Sequence, residues 1–351
     1  MTKEQKIKSF DTNSIGQKNA GMFGLPFSVE ECDIVLVPVP WEVTVSYGGG
    51  TADGPAAIYE ASYQVDLFDP VVKDAWKMGI GMLPINEEIK SLSDDLRSKA
   101  EECIELMANG QTLENNSSIK KFTEEIRQGC LQMNDWVKTT CLEQLKKNKV
   151  VGLIGGDHST PLGMIQALAE VHNDFGILQI DAHADLRNAY EGFEFSHASI
   201  MFNALKVKNV SKLVQVGIRD YCDEEFDLIQ SNDKITTFFD RDIKHTQYRG
   251  DSFDRICNRI VNALPDKIYL SFDIDGLDPK LCPNTGTPVA GGFETEEVLF
   301  LIEKVMRSGK TIIGFDINEV CPSENDEWDA NVASRLLYRI ANMVAKSQGK
   351  I

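Results

Sequence analysis

Several things are scarce or missing in this chain. Its eight cysteines include no C-x-x-C pair. Scattered thus through 351 residues, they argue for reduced thiols and against a disulfide framework. Positive charge is short: 36 Lys and Arg against 54 Asp and Glu give a net charge of −18. A field of that sign disfavours nucleic acid and anionic membrane surfaces as partners. It suits a small cationic substrate, or equally an acidic surface kept for solubility. No apolar run approaches the length that spans a bilayer. The opening MTKEQKIKSFDTNSIGQK lacks the apolar core of a signal peptide, so a cytoplasmic protein is expected. The glycine run Gly48-Gly49-Gly50 is followed by neither G-x-G-x-x-G nor a Walker lysine, which excludes the common nucleotide signatures. Internal repeats and low-complexity tracts are absent too.

What the chain does have is a rhythm. Apolar runs at 33–40, 150–154, 175–180, 211–218, 235–239, 267–272 and 311–317 read as strands, with a short one at 79–84. Helical stretches alternate with them at 120–147, 160–172, 253–264, 295–308 and 329–345, the last two amphipathic or capped. The alternation predicts an α/β fold with three layers, α/β/α, around a central, mostly parallel sheet. Residues 1–30 read as a polar N-terminal extension and 31–351 as a single domain. The stretch 87–118, charged and helical in its first half and then rich in Asn and Ser, reads as a surface insertion.

Only five histidines are present, and one stands inside Asp181-Ala182-His183-Ala184-Asp185. This run offers three metal-ligating side chains at i, i+2 and i+4 as a strand gives way to a loop, where alternate residues share a side. Oxygen and imidazole donors without thiolate suit Mn, Ni, Zn or Fe in the +2 state rather than a closed structural zinc. Two other strands end alike: 150–154 in Gly-Gly-Asp157-His158-Ser159, and 268–272 in Asp273-Ile274-Asp275-Gly276. In open α/β sheets ligands bind beyond the carboxyl ends of the strands. Two imidazoles (His158, His183) and four carboxylates (Asp181, Asp185, Asp273, Asp275) exceed the needs of one ion. They fit two ions sharing carboxylates, an arrangement that activates water. Four packed carboxylates also require protons or cations to relieve their repulsion.

GGDHS, DAHADLR and SFDIDGLDP, in this order and spacing, resemble the three signatures of the ureohydrolase family of arginases, agmatinases, formiminoglutamases, guanidinobutyrases and guanidine hydrolases. The resemblance runs from about Cys32 to the C-terminus. It implies an arginase-like fold and a binuclear-metal hydrolase that cleaves a guanidino C–N bond and releases urea, by attack of a hydroxide bridging the ions. One ion would be held by His158, Asp181, Asp185 and Asp273. The other would be held by His183, Asp181, Asp273 and Asp275, with Asp181 and Asp273 as bridges. Mn²⁺ is the first choice and Ni²⁺ the alternative. By the same resemblance Glu319, ending its own strand in FDINEV, pairs with the substrate guanidinium. His197, in FSHA, passes a proton to the leaving amine. Asp185 joins them as a catalytic residue, and a trimer or hexamer is implied.

The substrate is read from departures. Where arginases use an Asn and an Asp to hold the amino-acid end of arginine, this chain has Arg187 and Cys222. DAHADLR, and GIR followed by Glu224-Glu225, look more like the agmatinase branch, so agmatine is the expected substrate. If Trp328 and the Trp41–Tyr47 loop close the pocket, free guanidine or another short guanidino compound takes its place; arginase and formiminoglutamase are further alternatives. Thr285-Gly286-Thr287-Pro288 is expected at the mouth. His172 and His245 read as structural or surface residues. A non-catalytic metal-binding paralogue and a deacetylase of the same fold class fit the intact ligand set less well.

Overall fold

The computed structural model describes residues 1–16, 20–323 and 325–351. Eight strands form one sheet: β1 (Ile34–Val39), β2 (Ile80–Met82), β3 (Val150–Gly155), β4 (Phe175–Ile180), β5 (Val210–Val216), β6 (Ile235–Phe238), β7 (Lys267–Asp273) and β8 (Thr311–Asn318). Their order is β2-β1-β3-β8-β7-β4-β5-β6, and every pairing is parallel. The four central positions therefore belong to β3, β8, β7 and β4, the strands that end in the candidate site residues.

Two helical layers cover the sheet. Helices α3 (Glu87–Ala108), α4 (Ser117–Lys146), α5 (Leu162–Val171), α6 (Ile200–Leu205) and α7 (Asp223–Ser231) feed one core, together with Phe175 and Ile177 of β4 and Tyr269 of β7. The other core takes Ile58 of α2 (Gly54–Ser62), Ile243 of α8 (Asp240–Tyr248), and the apolar faces of α9 (Phe253–Ala263), α10 (Thr295–Arg307) and α11 (Trp328–Ser347). Leu178 and Ile180, Leu270 and Phe272, and Phe315 and Ile317 point into it from the same strands. Burial on both faces is why these strands read as nearly continuous apolar runs.

Three local outcomes differ from the expectations. The described part of 1–30 is packed, not loose. A capped helix, α1 (Lys3–Ser9), places Lys3 Nζ 2.8 Å from Asp33 and sets Phe10 against Trp76, while Met22, Phe23, Leu25 and Phe27 are buried. The stretch 87–118 is helical in its first part, as expected, but it is no surface insertion: α3 buries Ile89, Leu96, Ala100 and Cys103 beside α4. Helices α7 and α8 were not expected. Their sequences, DEEFDLIQS and DRDIKHTQY, are mostly polar, and each buries one aliphatic residue, Ile229 or Ile243. No helix among the described residues is long and apolar enough to cross a membrane.

Candidate metal centre

The site is assembled from chain turns immediately beyond the central strands. After β3 the chain passes so close to its neighbours that side chains are excluded. A Cβ on Gly155 would lie 1.9 Å from Asn318 Oδ1, and one on Gly156 2.0 Å from the Trp41 carbonyl. Only glycine fits there. Asp157 then accepts the Ser159 N–H at 2.9 Å and turns His158 inward.

After β4, residues 181–185 are not strand, so alternation is not what gathers their side chains. Asp181 Oδ1 accepts the His183 N–H at 2.6 Å, an Asx turn. Asp185 takes a left-handed backbone (φ 54°), which bends the loop back. Beyond β7, Asp273 Oδ1 accepts the Asp275 N–H at 2.9 Å, and Asp275 Oδ1 reaches across to the Ala182 N–H at 3.0 Å.

Two clusters result. His158 Nδ1 faces Asp181 Oδ2 at 3.0 Å, Asp185 Oδ2 at 3.0 Å and Asp273 Oδ2 at 3.2 Å. His183 Nδ1 lies 2.9 Å from Asp275 Oδ2 and 3.7 Å from Asp181 Oδ1. Asp181 thus belongs to both, one oxygen to each. All six residues expected as ligands are brought together.

The donor set fits divalent cations. His158 Nδ1 is buried and has no hydrogen-bond partner. Its other ring nitrogen is engaged: Nε2 lies 2.9 Å from Ser271 Oγ, and Ser271 Oγ donates to Asp316 Oδ1 at 3.1 Å. That relay fixes a proton on Nε2, so Nδ1, whose own proton the three carboxylates hold while no cation is bound, would turn its lone pair to a metal that displaces it, the outer support a ligating histidine usually has. Separations near 3.0 Å match the edges of a coordination shell with bonds of about 2.1 Å.

Electrostatics say the same. Burial pushes the Asp185 carboxyl up to about 7, and the neighbouring Asp181 charge adds to this. Burial, then Asp275 and Asp181, holds Asp273 well above its usual range. Burial opposes a proton on His183, yet Asp275 and the other carboxylates raise it to about 10. Without cations this cluster retains protons; divalent ions would replace them.

Glu319 joins from β8. Its backbone is left-handed (φ 63°), and its Oε1 accepts the His158 N–H at 2.8 Å. Burial, followed by repulsion from Asp273 and Asp157, raises its carboxyl well above the usual range. His197 lies on the cavity wall, edge-on to Tyr190, and its backbone N–H donates to Thr44 Oγ1 at 3.3 Å. Burial, then repulsion from the protonated His183 and His158, lowers it to about 4, so its ring is neutral at pH 7.

The cavity outside the ligands measures about 510 Å³ and is lined by Tyr47, His183, Asp185, Arg187, Tyr190, His197, Asp220, Tyr221, Glu225, Thr287 and Pro288, among others. Trp328, expected at the substrate, does not join them. It begins α11, its indole N–H donates to the Lys280 carbonyl at 2.9 Å, and it lines a separate groove. Trp41 is wholly buried in the core on the α3–α7 side. Of the Trp41–Tyr47 loop, Ser46 and Tyr47 reach the cavity.

Sequence reasoning missed Ser271 and Asp316, and also Gln179, Gln215 and Asp220. The first four carry a visible signal: a polar residue inside an apolar strand, two positions before a ligand in the case of Gln179 and Ser271.

A parallel sheet whose central strand ends present two imidazole–carboxylate clusters sharing one aspartate defines a metal-dependent hydrolase. The chain belongs to the Arginase family, whose model matches residues 32–342. It is 31% identical over 323 residues to the N(1)-aminopropylagmatine ureohydrolase of Thermococcus kodakarensis, covering 90% of this chain and 92% of that one. It is 26% identical over 319 residues to the agmatinase of Bacillus subtilis, covering 88% and 90%. In fold it resembles the agmatine ureohydrolase of Thermoplasma volcanium, with a TM-score of 0.68, 21% identity and 99% of each chain covered. The chain is accordingly a metal-dependent hydrolase of linear amidine C–N bonds.

Proposed function

We propose that this enzyme hydrolyses agmatine to putrescine and urea with a pair of Mn²⁺ ions. The carrying observation is the charge along the cavity. At its outer end Arg187 is engaged: Nε lies 3.2 Å from Glu225 Oε2, and the guanidinium sits 5.4 Å from the centre of the Tyr190 ring. Glu225, 5% exposed, is in turn fixed by the N–H groups of Leu186 and Cys222. The carboxylate left over is Asp220, 67% exposed on the same wall. An ammonium at the far end of a guanidino chain complements it; a carboxylate there does not. A cavity of this size also accommodates a four-carbon chain.

Two bound divalent cations supply charge neutralisation and an acidified water. The chain's own residues do the rest. His158, Asp181, Asp185 and Asp273 would hold one ion; His183, Asp181, Asp273 and Asp275 would hold the other. Glu319, tied at Oε1 to the His158 N–H, pairs with the substrate guanidinium and fixes its carbon over the clusters. The neutral His197 ring takes up a proton and delivers it to the departing amine nitrogen. With the acquired water, the products balance as urea and a protonated diamine. A longer polyamine tail is the second reading. The half-exposed rim at Tyr221 and Asp220 leaves room for it, and relatives 28–31% identical act on N(1)-aminopropylagmatine. The wider reading is of a cytoplasmic homo-oligomer, a trimer or hexamer, without nucleic-acid or membrane partners.

The test is urea release by Mn²⁺-loaded protein from agmatine, N(1)-aminopropylagmatine, arginine, guanidinobutyrate and free guanidine. Preference for either agmatine-type substrate supports the reading. Preference for arginine, guanidinobutyrate or guanidine overturns it.

A further inference from the structure

Beneath the D-A-H-A-D loop runs a row of polar side chains that no ligand set contains. Thr237 of β6, Gln215 of β5 and Gln179 of β4 are register partners across three adjacent strands. Thr237 Oγ1 donates to Gln215 Oε1 at 2.8 Å. Gln215 Nε2 donates to Gln179 Oε1 at 2.7 Å and to the Ala184 carbonyl at 2.7 Å. Gln179 Nε2 donates to Asp181 Oδ2 at 2.8 Å and to the His183 carbonyl at 3.2 Å. Both glutamines are wholly buried.

The direction of this relay is fixed. A backbone carbonyl only accepts, so the amide atom of Gln215 facing Ala184 is nitrogen, and that of Gln179 facing His183 is nitrogen too. Gln179 Oε1 therefore meets Gln215, and an N–H meets Asp181. The row grips the loop at three points: two carbonyls of its own backbone and the carboxylate that both clusters share. Asp181 Oδ2 is the oxygen facing His158 Nδ1. A donor on that oxygen orients it and stabilises its charged form.

We propose that Gln179 and Gln215 are positioning residues for the metal pair, acting through Asp181 and the loop carbonyls, with Thr237 setting the orientation of Gln215. The inference rests on the two-ion site and is independent of which guanidino compound is the substrate.

The experiment measures Mn²⁺ affinity by competition with a fluorescent chelator, beside the melting temperature of the chelated protein, for the full chain and for Gln179→Met, Gln215→Met and both together. The expected result for Gln179→Met is about a 10- to 100-fold loss of affinity, the usual effect of removing a ligand's outer partner. Gln215→Met weakens binding by a smaller factor. The double variant loses less than the product of the two, because Gln215 acts partly through Gln179. Thr237→Val, at a half-buried position, gives the same direction with a smaller change and serves if Gln215→Met does not fold. A lower melting temperature with unchanged Mn²⁺ affinity would mean a merely structural row and overturns the proposal. Fully multiplicative effects would overturn the route from Gln215 through Gln179. A wild-type chain that binds neither Mn²⁺ nor, in the parallel titration, Ni²⁺ removes the two-ion reading itself.

Discussion

Glu319 Oε1 accepts the backbone N–H of His158 at 2.8 Å, so the residue proposed to pair with the guanidinium is bonded to one proposed to hold metal. The same Glu319 donates its own N–H to the Gly156 carbonyl at 2.8 Å, and its carbonyl accepts from Thr285 Oγ1 at 2.8 Å. Three contacts hold a left-handed residue that strand geometry would not place there. Such strain persists where surroundings over-determine it, and it clusters at functional sites.

Glu319→Gln separates the two jobs. The amide oxygen still accepts from His158, so metal content should stay at the wild-type level. The charge that pairs with the guanidinium is gone. Removing one partner of a buried ion pair costs about 3–5 kcal/mol, so kcat/KM should fall by about 100-fold or more. Metal analysis beside steady-state kinetics checks this; loss of metal in step with activity would contradict it.

Chelated protein should lose stability as pH rises. His183 binds its proton more tightly folded than unfolded, with a pKa near 10 against 6.5. Its stabilising contribution is complete below 6.5 and lost on the way to about 10. Asp185, near 7 against 3.8, has the same sign and is lost between those values. His197, lowered to about 4, has the opposite sign, but its contribution disappears only as pH falls below 6.5. Between pH 6.5 and 9 the melting temperature of the chelated protein should therefore fall. That of the Mn²⁺-loaded protein should not follow, because cations replace the protons. Parallel melting curves for the two forms would count against the clusters as metal sites.

Much of this centre could be read from sequence because chemistry and strand ends coincide. His158, Asp181 and Asp273 each follow an apolar run, and the two buried faces of the sheet make those runs conspicuous. Asp185 and Glu319 were placed by motif, yet their positive φ could not be foreseen, since nothing in an Asp or a Glu announces a left-handed backbone. Gln179, Gln215, Ser271 and Asp316 were passed over because their roles depend on neighbours in the sheet, and strand order is long-range information. Trp328 was misplaced for the same reason. It follows the Glu319 motif in sequence, but α11 carries it to another groove.

Arg97 should govern the loop over the site. Standing on α3, it points Nη1 at the Val45 carbonyl and at the Val43 carbonyl 3.4 Å away, with Glu101 3.1 Å from Nε. Val45 lies two residues before Tyr47 at the cavity mouth. Arg97→Met keeps the aliphatic stem and removes the donors. A hydrogen bond from a charged group is worth about 1.5–3 kcal/mol. If that energy holds the loop in place, KM for agmatine should rise about tenfold at unchanged metal content. Unaltered KM would show that the loop keeps its place without this contact.

Asp220 gives the sharpest test of how the far end of the substrate is read. Its carboxylate is on the cavity wall and mostly solvated, so pairing with an ammonium is worth only about 0.2–1 kcal/mol. Asp220→Asn should accordingly raise KM for agmatine by about 1.4- to fivefold and leave kcat nearly unchanged, because the group is assigned to the ammonium end of the chain and not to the guanidinium. Butylguanidine, which has the same chain and no ammonium, supplies the comparison: its KM should not move. The preference of the wild type for agmatine over butylguanidine should shrink by the same factor. One side effect can be told apart. Asp220 Oδ2 lies 3.9 Å from His183 Nε2, so a disturbed ligand would lower metal content and depress kcat for both substrates alike. A selective change in agmatine KM assigns Asp220 to the substrate's tail, whereas an equal loss on both compounds assigns it to the support of His183.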